Sequence, residues 1–432
     1  MRNIQQLRAD LSAGRWDAAF ASLYGCAGRS AAECRARYAR LTEGFAAAFG
    51  DGEREFAFYS APGRTELGGN HTDHQHGRVL AASVDLDVIA LAAPNGTNTV
   101  RVLSEGFEMD VVDLDRLTPV EEEANHSASL IRGVCAAFAA KGWPVRGFDA
   151  YTTSAVLKGS GLSSSAAFEV LIGNIANHLF AGAESPVTIA QIGQYAENVF
   201  FGKPSGLLDQ MASSVGGVVA MDFADPAAPV VRPLSLDLAG QGYALCIVDT
   251  GADHADLTGE YAAIPAEMKA VAAALGGQVL RDVPKESFYN ALPALRKELG
   301  DRAVLRAFHF YADDERAALQ ADALAAGEFD RYLRLVSESG VSSFNYLQNV
   351  FCRSKPAEEQ PVAVALALAG TLLAGRGAHR VHGGGFAGTI QAYVPLDFVP
   401  AFKAGMEALL GEGMCHVVSI RPVGGVHLTE ND

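Results

Sequence analysis

The residues in this chain best suited to chemistry lie in the run Lys158-Gly-Ser-Gly-Leu-Ser-Ser-Ser-Ala-Ala-Phe-Glu169. Gly159 and Gly161 let the backbone approach a bulky anion without a Cβ in the way. Leu162 leads into Ser163, Ser164 and Ser165, whose hydroxyls add donors, and from Ala166 the pattern turns helical. A loop that empties into a helix start presents unpaired N–H groups and the positive end of the helix dipole, a natural cradle for phosphate. A flexible Gly/Ser linker is the plain alternative. Linkers, however, are rarely followed at once by an apolar stripe such as Phe168, Val170, Leu171, Ile172 and Ile175.

Two other glycine-bearing segments stand far from the first. Ala61-Pro-Gly-Arg-Thr-Glu-Leu-Gly-Gly-Asn-His-Thr-Asp-His74 gathers polar groups around three glycines, with Arg64 at a glycine turn. His71, Asp73, His74 and His76 lack the spacing of a zinc site. A short turn offering hydrogen bonds to a polyhydroxylated ligand fits better, with a polar surface loop as the alternative. Gly383-Gly-Gly-Phe-Ala-Gly388 formally satisfies GxGxxG, but a β-favouring run follows where a dinucleotide fold needs a helix. GxxxxGK[ST], HRD and DFG are all missing from the sequence. Between the glycine segments lie Glu197, on a helical stretch, and Asp209, among Leu207, Leu208, Met211 and Ala212. A partly buried carboxylate needs a partner or a task, and Arg64 could pair with it.

These residues need a large scaffold. At 432 residues the chain suggests two domains, and 49% hydrophobic against 19% charged residues suits a compact fold. A net charge of −16 argues against a nucleic-acid face, though a local cradle can still hold a small anion. Six scattered cysteines without a CxxC pair fit a reducing cytoplasm. The start of the chain lacks an apolar signal core, and the run 361–375 is too short to span a bilayer, so neither membrane nor nucleic acid is expected as a partner.

Periodicity predicts helices through the first fifty residues and over 126–142, 166–180, 188–199, 261–275, 303–326, 361–373 and 398–410. Strands are predicted over 57–60, 79–91, 100–112 as a hairpin, 148–155, 216–223, 243–249, 388–394 and 416–421. Without a strict βαβ rhythm this is an α+β pattern, and the proline-bearing stretch 225–233 is the expected crossing between domains.

The three segments together resemble the signature motifs of the GHMP small-molecule kinases, and their flanks resemble the galactokinase family. Ala61-Pro-Gly-Arg64 with His71-Thr-Asp73, the serine loop at 159–167, Ala196-Glu197 with Gly202, Gly206-Leu-Leu-Asp209-Gln210 and the last glycine motif follow the family's order. The likeness runs from about position 40 to the C-terminus and is weakest over 337–361. It implies a two-domain fold of mixed sheets and helices, 1–232 and 233–432, with the site in the cleft between them. It also implies an ATP-dependent sugar 1-kinase using Mg²⁺, with a sugar and ATP as partners, in the cytoplasm, as a monomer or at most a weak homodimer.

Carried onto matching positions, the resemblance makes Asp209 the carboxylate that accepts or orients the C1 hydroxyl proton and Arg64 its charge partner. Gly159, Gly161, Leu162, Ser163, Ser164, Ser165 and Ala166 would cradle the nucleotide phosphates. Ser165, or its neighbour Ser164, with Glu197 would hold Mg²⁺. Asn70, His71, Asp73, Gly206 and Tyr261 would line the sugar, and Gly384 and Gly385 would support the loops. The family usually has Glu at position 70 and Tyr at 74, where this chain has Asn70 and His74; His382 and Ala387 also replace a Thr and a Gly. These departures keep open a related sugar such as N-acetylgalactosamine, galacturonate or arabinose. A non-catalytic sugar and ATP sensor is a further alternative, opposed by the complete Ser163-Ser-Ser-Ala-Ala167 run.

Overall fold

A computed structural model describes residues 3–25, 29–156, 161–203, 205–251, 257–386 and 388–430. The chain opens with α1 (Ile4–Ser12), α2 (Asp17–Tyr24) and α3 (Ala31–Phe49). Capping boxes start α1 (Asn3 with Gln6) and α3 (Ser30 with Glu33), satisfying amide donors that a helix end leaves open. Leu7, Leu11, Phe20, Tyr38 and Phe45 from these helices pack on Phe58, Ile89 and Leu91 of the sheet beneath.

Next come β1 (Ala57–Gly68), β2 (Arg78–Pro94), β3 (Thr99–Ser104), β4 (Met109–Asp113), α4 (Ser127–Ala140) and β5 (Phe148–Ser154). Helices α5 (Ser164–Leu179), α6 (Pro186–Tyr195) and α7 (Leu208–Val215) precede β6 (Val218–Asp222) and β7 (Val230–Leu234). The second half holds β8 (Tyr243–Asp249), α8 (Thr258–Ala274), α9 (Lys285–Leu299), α10 (Asp301–Ala325), α11 (Phe329–Ser342) and α12 (Pro361–Leu373). It ends with β9 (Ala378–His382), β10 (Thr389–Pro395), α13 (Val399–Leu410), β11 (Cys415–Val418) and β12 (Val426–Leu428).

Among the described residues the larger sheet runs β12-β1-β2-β5-β3-β4, with β6 and β7 branching from β2. Its pairs are antiparallel except β3 with β5. β2 reads as an almost unbroken apolar run because it is covered on both faces. Leu80, Ala82 and Val84 join the core under α5, while Ile89 and Leu91 join the core under α3. The smaller sheet, β11-β8-β10-β9, is wholly antiparallel and packs on α12 and α13 through Val248, Ile390, Val362 and Phe402.

The expected α+β class with mixed sheets is what the structure has. Three local expectations need correcting. The first glycine segment is not a turn up to its last residues, since β1 runs as a strand through Gly68. The stretch 225–233 is not a simple crossing: β7 begins within it and runs to Leu234, pairing with β6 across the expected boundary, and β12 returns from the C-terminus to edge the larger sheet beside β1. Helices α9 and α11 were not anticipated.

Candidate active site

Arg64 owes its place to an irregular strand. The β1–β2 register shifts between Pro62 and Arg64 and again between Glu66 and Gly68, and such bulges re-aim side chains. Gly63 is needed here because a Cβ would lie 2.9 Å from the Leu162 carbonyl. The Arg64 amide donates to that same carbonyl at 3.0 Å, so strand and serine loop are joined backbone to backbone. The Arg64 guanidinium, almost wholly buried, donates from Nε to Asp209 Oδ1 at 2.7 Å and from its other arm to the Gly161 carbonyl.

Ser163 caps α5 in the left-handed region, at φ 54°, without turning its hydroxyl back onto the helix amides. The hydroxyl donates instead to Asp209 Oδ2 at 2.5 Å. The first-turn N–H groups of α5 thus have no side-chain cap, the arrangement that suits an anion. Leu162 and Ala166 are buried under this turn, while Ser164 and Ser165 are partly open. Gly159 lies outside the described residues, as does Ala387.

Asp209 sits in the first turn of α7 with its side chain 37% exposed. Burial pushes its carboxyl up, but the Arg64 charge and hydrogen bond, then Ser163 and Lys203, hold it below the ordinary aspartate range. It is therefore ionised at neutral pH.

Glu197 lies on a π-helical turn, residues 196–201, that continues α6. Gly133 of α4 admits this turn, since a Cβ there would meet Ala196 at 2.7 Å. Glu197 Oε2 accepts from Gln210 Nε2 at 2.9 Å, and Gln210 also donates to Glu169 Oε2 at 2.9 Å. Its Oε1 faces Ser165 Oγ at 3.4 Å and Lys203 Nζ at 2.9 Å. A carboxylate and a hydroxyl side by side are hard oxygen donors, and two protein ligands are enough for Mg²⁺, which keeps waters and substrate phosphates in its shell.

The remaining expected residues divide. Gly206 and Asp73 are in contact, for a Cβ on Gly206 would collide with Asp73 Oδ2. Tyr261 donates to the Gly385 carbonyl at 3.1 Å and closes over Gly384, and His71 Nε2 meets the Gly384 carbonyl at 3.2 Å. Burial, then His74, pulls the His71 ring down to about 3, so it is neutral and Nε2–H is the donor. His71, Asp73, Gly206, Tyr261 and Gly384 are partly open to solvent, whereas Gly385 is buried.

Asn70 is different. It is fully buried, and its Nδ2 donates to Glu66 Oε1 at 3.0 Å and to the Gly383 carbonyl at 2.8 Å. Its Oδ1 accepts from Asn349 at 2.8 Å and Ser343 at 3.2 Å, while its backbone bonds Asp313 and His309. With both ends of the amide taken up by protein, the expectation that Asn70 faces the sugar is corrected: it links β1 to the far half of the chain.

Comparison with known proteins identifies the family. A family model described as the galactokinase galactose-binding signature matches residues 43–94, and the GHMP kinases N terminal domain matches 129–217. The chain is 33% identical over 352 residues to a galactokinase of Streptomyces coelicolor, covering 81% of this chain and 87% of the relative. The chain belongs to the galactokinase family. The solved galactokinase of Lactococcus lactis, complexed with galactose, is 27% identical and superimposes with a TM-score of 0.77, covering 91% of this chain and all of that one. The mevalonate kinase of Methanococcus jannaschii, 12% identical with a TM-score of 0.59 over 85% of this chain and 99% of its own, shares the fold alone.

This galactokinase-family chain is thus a sugar kinase, and two of its site residues were not singled out from sequence. Lys203 reaches Glu197 only because the π turn folds back, and Glu169 lies beneath the site as a buried acid. An acid sitting one helical turn after the serine run was the available signal for Glu169. His382, noted only as a departure, bridges Thr65 at 3.0 Å and Thr389 at 2.9 Å behind Arg64.

Proposed function

We propose that this chain transfers the γ-phosphoryl group of ATP to the C1 hydroxyl of galactose. The observation that carries the reading is the convergence of Arg64, Ser163 and Asp209 at the open N-terminus of α5. The galactose-binding signature over 43–94 and the galactose named with the Lactococcus lactis relative support the sugar.

Phosphoryl transfer to a hydroxyl asks mainly for positioning and charge neutralisation. Asp209, ionised, accepts or orients the C1 hydroxyl proton. A carboxylate of low pKa is a weak acceptor, which suits a loose transition state in which the proton moves late. Arg64 keeps that carboxylate ionised and in place and offsets charge on the transferring group. The serine loop, 159 through Ala166, receives the phosphates on its amides and hydroxyls. Mg²⁺ held by Ser165 and Glu197 would neutralise the phosphate charge when bound. His71, Asp73, Gly206 and Tyr261 contact the sugar hydroxyls. The buried free thiols of Cys34, Cys135, Cys246, Cys352 and Cys415 support a reducing compartment such as the cytoplasm.

The test is ADP release from ATP and Mg²⁺ with galactose, N-acetylgalactosamine, galacturonate and arabinose in turn, with the product's phosphate located by NMR. Galactose should give the highest kcat/KM and a C1 phosphate. ADP release with none of the sugars would defeat the proposal.

A further inference from the structure

The turn after Glu197 brings a second cation to the site that the mechanism above does not use. The amides of Gly202 and Lys203 both donate to the Glu197 carbonyl, at 3.0 and 3.1 Å, with Gly202 at φ 88° making the reversal. The reversal carries Lys203 Nζ onto Glu197 Oε1 at 2.9 Å. Backbone and side chain of Lys203 therefore both close on one residue.

The two Glu197 oxygens are not equivalent. Oε2 is held by Gln210 Nε2 at 2.9 Å in the buried Glu169–Gln210–Glu197 chain. Oε1 is the one facing Ser165, and it is the one Lys203 covers. The Glu197 side chain is only 3% exposed, whereas that of Lys203 is 59% exposed and has room to leave. Burial opposes the charge on the lysine ammonium, but Glu197 foremost, then Asp209 and Glu169, more than offset it.

We infer that Lys203 is a tethered counter-ion that occupies the metal-facing oxygen of Glu197 and is displaced when a divalent cation enters with the nucleotide. The inference rests on the reading of Glu197 as a metal ligand. Two cations on that one oxygen repel each other across a few ångströms of poorly solvated space, which favours the exposed lysine leaving. Lys203 thereby makes the buried carboxylate tolerable without metal and weakens its grip on metal by the strength of the ion pair it must give up. The lysine is a positioning residue and touches no reacting atom.

The test uses the full-length protein and binding in place of turnover. Binding of the non-hydrolysable imido analogue of ATP is followed by calorimetry while free Mg²⁺ is varied, and the half-saturating Mg²⁺ concentration is read. Lys203→Met should lower that concentration by about fivefold, the upper range for a partly exposed ion pair. Lys203→Arg, which keeps the charge and guards against loss of folding, should stay near wild type. Glu197→Gln should raise it. An unchanged or raised value in Lys203→Met, with Glu197→Gln raised, overturns the lysine inference alone. An unchanged value in Glu197→Gln overturns the metal-ligand reading, and this inference with it.

Discussion

Asp209 is held between opposed effects: partial burial favours the neutral acid, while Arg64, Ser163 and Lys203 favour the carboxylate and prevail. Because its folded pKa lies below the ordinary aspartate value of 3.8, the proposed base is lost only as pH falls through that lowered value. In Arg64→Leu the upward push of burial is left with less opposition, so the acid limb of kcat/KM should move to higher pH, apart from any fall in rate. Asp209→Ala should lose roughly a hundred- to ten-thousandfold in kcat, the usual worth of a positioned base, while calorimetry still detects nucleotide binding. Full activity in that variant would remove Asp209 from the chemistry. Asn70 makes the opposite point, for a residue at a signature position can be wholly spent on protein contacts.

Elements place these groups by local departures from regularity: the bulges of β1, the left-handed Ser163 before α5, and the π turn after α6. Gly206, just before α7, belongs with them. Gly206→Ala would drive a methyl group into Asp73, and displacing Asp73 from the sugar contact proposed for it should cost about a hundredfold in galactose kcat/KM. ATP binding measured without sugar should be untouched. Beneath the same elements, Glu169 on α5 is fully buried, and burial, then Glu197, raises its pKa well above 4.5. A raised carboxyl stabilises the fold fully below its unfolded pKa and loses that contribution as pH rises through the folded value. Glu169→Gln is neutral throughout, so its Tm relative to wild type should rise as pH climbs above 4.5 toward the raised folded value. A difference independent of pH would contradict the assignment.

At the scale of the whole molecule, buried polar links join segments hundreds of residues apart. Asp87 of β2 is fully buried and is bound by Arg37 of α3 at 2.8 Å, Arg421 near the C-terminus at 3.1 Å, and Tyr24 and Ser60 at 2.6 Å. Burial raises its carboxyl, but Arg37 and Arg421 lower it to about 2, so this contribution is present above 3.8 and fades as pH falls toward 2. Asp87→Asn leaves two guanidinium groups without their charge partner and should cost about 3–5 kcal/mol in urea denaturation. A cost within error of zero would show that the arginines find other partners. A second link runs from Glu66 through Asn70 to Asn349, with Arg380 paired to Glu66 at 2.5 Å, and ties β1 to the segment after α11 and to β9.

Much of this was legible in the chain itself. Hydrophobic period and glycine placement are local, so many of the helices and strands, though not α9, α11, β7, β9 or β12, and the serine run ahead of α5 and the family resemblance followed from neighbours in sequence. The pairing of Arg64 with Asp209 was also foreseeable, because a half-buried acid among leucines requires a cation. What only tertiary structure decided is where polar side chains of ordinary appearance spend their hydrogen bonds. Asn70 meets His309, Asp313, Ser343 and Asn349, and Lys203 meets Glu197 through a π turn. The partners of Asn70 are chosen by packing between distant segments and that of Lys203 by a local chain reversal, and no periodicity in the sequence encodes either.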